Sequence, residues 1–125
     1  MSLKSINSNA KKTDFFLRKF LEKQNKSGLI NSMKYGSLSG GKKIRSSIII
    51  STGKLFNLNI RQLINICAAV ECIHSYSLIH DDLPCMDNDT IRRGKPATHI
   101  KFGESTAILA GNSLLTLAFE IIADK

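Results

Sequence analysis

An all-helical bundle is the architecture that this sequence predicts. Apolar residues recur at three- and four-residue intervals over long segments, alternation of period two is hard to find, and only two prolines and eight glycines interrupt 125 residues. With 42% hydrophobic and 22% charged residues, the chain has the composition of one globular domain with a single core.

Residues 1–9 are polar, with too little apolar surface to offset the entropy of ordering, and are expected to be loose. A helix is predicted from Asp14 to Gln24, where Phe16, Leu17, Phe20 and Leu21 form one apolar stripe. Ser27 is placed to cap a second, short helix that ends near Gly36. Next comes a loop, Ser37 to Arg45, in which Gly40 and Gly41 precede a helix with basic residues in its first turn. Cations oppose the dipole at that end, so an anion bound by backbone N–H groups beside Gly41, Lys42 and Arg45 would explain them; a Gly-rich turn with a solvated basic face is the plainer alternative. That helix should end near Phe56 and Asn57.

The longest helical candidate runs from Ile60 to Ile79. Helical spacing puts Glu71, His74, Leu78 and Asp81 on one face, with Asp82 adjacent. Pro84 has no N–H to bond the carbonyl of His80, so the helix should break there and bring Asp87 round toward Asp81 and Asp82. Asp81, Asp82, Asp87 and Asp89 crowd into nine residues, and such a cluster calls for a cation. Hard carboxylate oxygens suit Mg²⁺, which fills its remaining positions with water and substrate phosphates. Arg92 and Arg93 follow at once, and a guanidinium fork matches phosphate oxygens two at a time. Metal and fork together imply a polyphosphate substrate. The last segment, Ser105 to Ala123, is apolar nearly all round and so expects neighbours on every side.

Charge and cysteine content narrow the function classes. The net charge of +8 is unevenly placed: the first 54 residues hold twelve basic side chains against two acidic ones, and the rest hold six against eight. Those lysines are scattered without interleaved aromatics, which favours a solvated surface over nucleic-acid binding. Cys67, Cys72 and Cys85 form no CxxC pair and are odd in number, so free thiols are expected. No uninterrupted apolar run reaches the roughly eighteen residues of a membrane span, and Met1 to Lys4 lacks the apolar core of a secretory signal; a cytoplasmic protein without a membrane span is expected.

The run from His74 through Asp87, with Arg92 to Pro96, Phe102 to Glu104 and Leu109 to Asn112 following in order, resembles the trans-polyprenyl diphosphate synthase family, its bacterial farnesyl diphosphate synthases above all. The family's first aspartate-rich motif, DDxxxxD, is matched by Asp81, Asp82 and Asp87. The resemblance implies an isoprenoid-synthase helical bundle, of which this chain holds only the N-terminal helices, and condensation of isopentenyl diphosphate with an allylic diphosphate, dimethylallyl or geranyl. It implies that Asp81, Asp82 and Asp87 ligate Mg²⁺ holding the allylic diphosphate, which Arg92 contacts. It further implies that Lys42, Arg45, His74 and Arg93, beside Gly41, hold isopentenyl diphosphate, and that the chain forms the family's homodimer or is completed by a missing C-terminal half.

Product length is set in such enzymes just ahead of the motif, here at Tyr76 and Ser77. An aromatic five residues before Asp81 suits a farnesyl rather than a geranylgeranyl product. Three positions depart from the family pattern: Ser46 replaces a usual proline, Lys43 a usual arginine, and Thr90 a frequent acid. A second aspartate-rich motif does not occur in these residues, so this chain alone is expected not to complete catalysis. A non-catalytic Mg²⁺–diphosphate-binding remnant or partner subunit is the alternative.

Overall fold

The computed structural model describes residues 1–124, which form α1 (Leu3–Glu22), α2 (Gly28–Ser37), α3 (Ile44–Leu55), α4 (Ile60–Asp81), a small hairpin of β1 (Ile91–Arg92) and β2 (Lys95–Pro96), α5 (Thr98–Phe102) and α6 (Glu104–Ala123). The all-helical prediction holds. Its early boundary does not: residues from Leu3 onward, expected to be loose, are already helical. Ser2 and Ser5 form a reciprocal capping box, each side chain accepting from the other's backbone N–H at 3.2 and 3.0 Å. Further along, Asn9 is buried and its Nδ2 donates to Ser47 Oγ at 3.5 Å. Polar capping and one tertiary contact thus order a segment that apolar periodicity could not reveal.

The core is built where α4 crosses α6. Ala68, Ala69, Cys72 and Ile79 of α4 meet Ala107, Ala110, Leu114, Leu117, Ala118 and Ile121 of α6, with Leu17 and Leu21 of α1 and Met33 of α2 closing the sides. Alanines dominate the seam, so the two backbones approach closely. Gly111 carries this furthest: a Cβ there would collide with the His80 ring, whose Nε2 lies 3.0 Å from the carbonyl of Ile108. A second cluster, Ile50, Leu63 and Cys67, joins α3 to α4. By length and composition both α4 and α6 could cross a membrane, contrary to the expectation from uninterrupted runs alone, but each lays its inner face on the other as core helices do. The far side of α6 is open, with Leu109, Phe119 and Ile122 exposed.

Two local features position the site. At the end of α4, Leu83 N–H donates to the His80 carbonyl at 3.2 Å, closing the helix one residue before Pro84 as that proline requires. The chain then folds back, with Asp87 N–H on the Asp81 carbonyl at 2.8 Å and Asp89 N–H on the Asp82 carbonyl at 3.1 Å. The hairpin was not anticipated, because two-residue strands are too short to alternate. Its turn holds Arg93 at φ 52° and Gly94 at φ 74°, the left-handed pair that a two-residue hairpin loop of matching twist requires.

Candidate functional site

The loop before α3 and the middle of α4 enclose a cavity of about 150 Å³ lined by Lys42, Lys43, Ile44, Arg45, Glu71, His74 and Arg93. Lys42, Arg45, His74 and Arg93, drawn from three separated stretches of sequence, therefore share one cavity. Gly41 makes the approach possible. It sits at φ 101°, where an L side chain is strained, and a Cβ there would lie 2.8 Å from the Arg93 guanidinium carbon. Arg93 is held across this gap by donating through Nη1 to the carbonyl of Gly40. Burial pushes the His74 pKa down, and the nearby Arg45, Arg93 and Lys43 cations push the same way against the opposing Glu71 carboxylate. The imidazole is accordingly neutral at pH 7 and can donate one N–H without adding charge.

Lys43 does something else. It occupies a left-handed conformation at φ 45°, which costs a non-glycine residue about 1–2 kcal/mol. Its side chain turns inward, placing Nζ 3.3 Å from the carbonyl of Ser37, 3.2 Å from Asp14 Oδ1 and 3.7 Å from Glu71 Oε2. The contact with Asp14 is an ion pair whose angle falls short of a hydrogen bond. Sequence reasoning missed this network. One signal was available: Glu71 stands alone among Ala68, Ala69, Val70, Cys72 and Ile73, and a carboxylate in so apolar a stretch needs a cation.

The aspartate end of α4 is arranged differently. Asp82, 1% exposed, receives a bidentate fork from Arg92, with Nε to Oδ2 at 2.7 Å and Nη2 to Oδ1 at 2.8 Å. This hydrogen-bonded carboxylate raises the Arg92 pKa, Asp89 and Asp81 adding to it, despite the guanidinium's partial burial. Asp81 is half-buried and Asp87 exposed on the folded-back turn, and neither makes an ion pair among the described residues. Among the described residues no three His, Cys, Asp or Glu side chains gather as a metal group. Asp81, Asp82 and Asp87 are thus not gathered as one group in this arrangement, and both oxygens of Asp82 bond Arg92. What remains, two carboxylates on one turn, fits a magnesium ion that shares its coordination with water and phosphate, and does not fit a full protein cage.

Consecutive residues of the hairpin serve both places. Arg92 turns to Asp82 and Arg93 to the Gly40–Gly41 loop, so the two guanidinium groups take different partners. Tyr76 lies half-buried against the core, its ring edge-on to that of His80 with centroids 4.9 Å apart, and Ser77 Oγ donates to the carbonyl of His74 at 2.8 Å.

The family model described as polyprenyl synthetase matches residues 26–125. A farnesyl diphosphate synthase of Buchnera aphidicola subsp. Acyrthosiphon pisum is 59% identical over 100 residues, covering 80% of this chain and 36% of that protein. A chloroplastic geranylgeranyl pyrophosphate synthase of Catharanthus roseus is 52% identical over 92 residues, covering 74% of this chain and 26% of its own length. Among solved structures, a geranyltranstransferase from Thermotoga maritima superposes with a TM-score of 0.90 at 36% identity, over 94% of this chain and 44% of that one. The chain thus spans about a third of the curated relatives it matches.

Proposed function

This chain belongs to the polyprenyl synthetase family, and from that premise we propose that it binds isopentenyl diphosphate in the cavity beside Gly41 and serves in head-to-tail prenyl transfer to an allylic diphosphate, dimethylallyl or geranyl. The observation that carries the reading is the convergence of Lys42, Arg45, His74 and Arg93 on one cavity. Three permanent cations there complement a diphosphate, Arg45 and Arg93 offering planar forks and Lys42 a mobile point charge. His74, kept neutral, supplies an oriented N–H.

The allylic diphosphate belongs at the aspartate end, with Asp81 and Asp87 the carboxylates open to Mg²⁺ and Asp82 beside them, already held by Arg92. When bound, Mg²⁺ stabilises the charge on the departing diphosphate. Arg92 fixes the α4 terminus by its fork on Asp82, and Tyr76, with Ser77 next to it, bounds the prenyl chain at about farnesyl length. A geranylgeranyl product is the second reading, favoured by the 52% identity to a synthase of that name. The reading places the chain in the cytoplasm, in keeping with three free thiols. The open apolar side of α6 suits further helices of the family bundle or a second copy.

Calorimetric titration with isopentenyl diphosphate tests the binding site. Saturable heat is expected, and Arg45→Ala should weaken affinity by about tenfold, the loss of one charge-assisted contact to phosphate. Absence of saturable heat with the unaltered chain overturns the reading. With these 125 residues alone, binding without condensation is expected. In an enzyme of full family length that carries this segment, Tyr76→Ala should lengthen the product; unchanged length removes Tyr76 as the floor.

A further inference from the structure

A carboxylate lines the same cavity that is read here as a diphosphate site. Glu71 is 3% exposed and faces the space shared by Lys42, Arg45, His74 and Arg93. An uncompensated anion in that position would repel a diphosphate. Both of its oxygens are occupied from within the fold, Oε2 by Lys43 Nζ at 3.7 Å and Oε1 by the Ser46 hydroxyl, which donates at 3.4 Å. Lys43 turns its charge inward: Nζ donates to the Ser37 carbonyl and stands at ion-pair distance from Asp14 and Glu71, and the residue is 7% exposed. Lys42, next to it, is exposed.

We propose that Lys43 is a positioning residue and not a diphosphate ligand: it neutralises Glu71 from inside the fold, keeps the cavity cationic, and ties α1, the Gly-rich loop and α4 into the arrangement that aims Lys42 and Arg45 at an anion. This rests on the diphosphate reading of the cavity. Adjacent lysines divide the work, one facing the ligand and one facing the protein. Ser46 completes the arrangement, since its hydroxyl satisfies the Glu71 oxygen that Lys43 does not reach.

The counter-charge is read at His74, which senses both Glu71 and Lys43. NMR titration of the His74 ring and calorimetry with isopentenyl diphosphate are run on the unaltered chain, Lys43→Met, Lys43→Arg, Glu71→Gln and the Lys43→Met/Glu71→Gln double variant. Lys43→Met should raise the His74 pKa and weaken binding by about tenfold or more, the scale of one uncompensated charge near a ligand at a partly buried site. Lys43→Arg should preserve both quantities, and the double variant should return both toward their starting values, which a purely structural role for Lys43 would not do. An unchanged His74 pKa in Lys43→Met, or a folded double variant that binds as weakly as Lys43→Met, overturns the proposal. Should Lys43→Met fail to fold, Glu71→Gln decides: a lower His74 pKa with equal or tighter binding supports the counter-ion role, and weaker binding overturns it. If the unaltered chain binds no diphosphate, the functional reading falls, while the His74 shifts still decide whether Lys43 neutralises Glu71.

Discussion

Two carboxylates, Glu71 within α4 and Asp82 just past its end, are each buried and each paired with a single cation, yet the pairs have opposite consequences for the groups around them. At Glu71 the partner is Lys43, which comes from inside the fold, and the exposed cations Lys42, Arg45 and Arg93 stay free to share a cavity. At Asp82 the partner is Arg92, itself one of the expected diphosphate contacts, so the pair occupies a carboxylate and a guanidinium at once. One site is preassembled for an anion. The other is internally balanced, and Asp81 and Asp87 are left as its open donors. Where a counter-ion comes from decides whether a charged cluster is ready for a ligand.

The largest expected effect that sharpens this contrast is on stability. Arg92→Ala leaves Asp82 buried and unpaired and should cost about 2–3 kcal/mol in chemical denaturation, below the roughly 3–5 kcal/mol of a fully buried pair because a third of the Arg92 side chain is exposed. Arg93→Ala, one residue on, should change stability by less than about 0.5 kcal/mol, since its side chain is at the surface. Equal losses at the two positions would erase the distinction.

A smaller effect is expected at the loop. Gly41→Ala puts a side chain at φ 101° and against the Arg93 guanidinium, and should cost about 1–2 kcal/mol while weakening diphosphate binding by displacing Arg93. Gly94→Ala, at φ 74° with open space around it, should carry the backbone strain without the loss of binding. Comparing the two variants separates conformation from contact.

The smallest effect concerns pH. The His74 pKa is lowered in the folded chain, so the unfolded chain takes up its proton first as pH falls below the ordinary value near 6.5. The associated stability is therefore complete above that value and is lost as pH falls from there to the lowered folded pKa. Bound diphosphate should oppose the shift by stabilising the imidazolium, so proton uptake on binding is expected in that window and should be absent in His74→Gln. Buffers of different ionisation enthalpy in calorimetry would register it.

Much of the fold was legible because it follows from local rules. Ser27 caps α2 as expected, with Ile30 N–H donating to its hydroxyl at 3.2 Å, and Pro84 ends α4 where a missing N–H must. The start of α1 was not legible, since Ser2, Ser5 and Asn9 act through hydrogen bonds that leave no apolar period. The membership of the cationic cavity could be listed from motifs, and the structure gathers those residues. The role of Lys43 could not be read from a string that makes it look like a second Lys42.

By itself, the order of residues determined the helices, their stops and the chemical types available at the site, because capping, periodicity and proline geometry act within a few positions of each residue. Only the tertiary structure decided which charge meets which: that Lys43 reaches Glu71 and Asp14, and that Arg92 closes on Asp82 while Arg93 turns to Gly40. Pairing between segments depends on distance and burial in the packed chain, and electrostatic attraction across a few ångströms carries no signature in the spacing of letters.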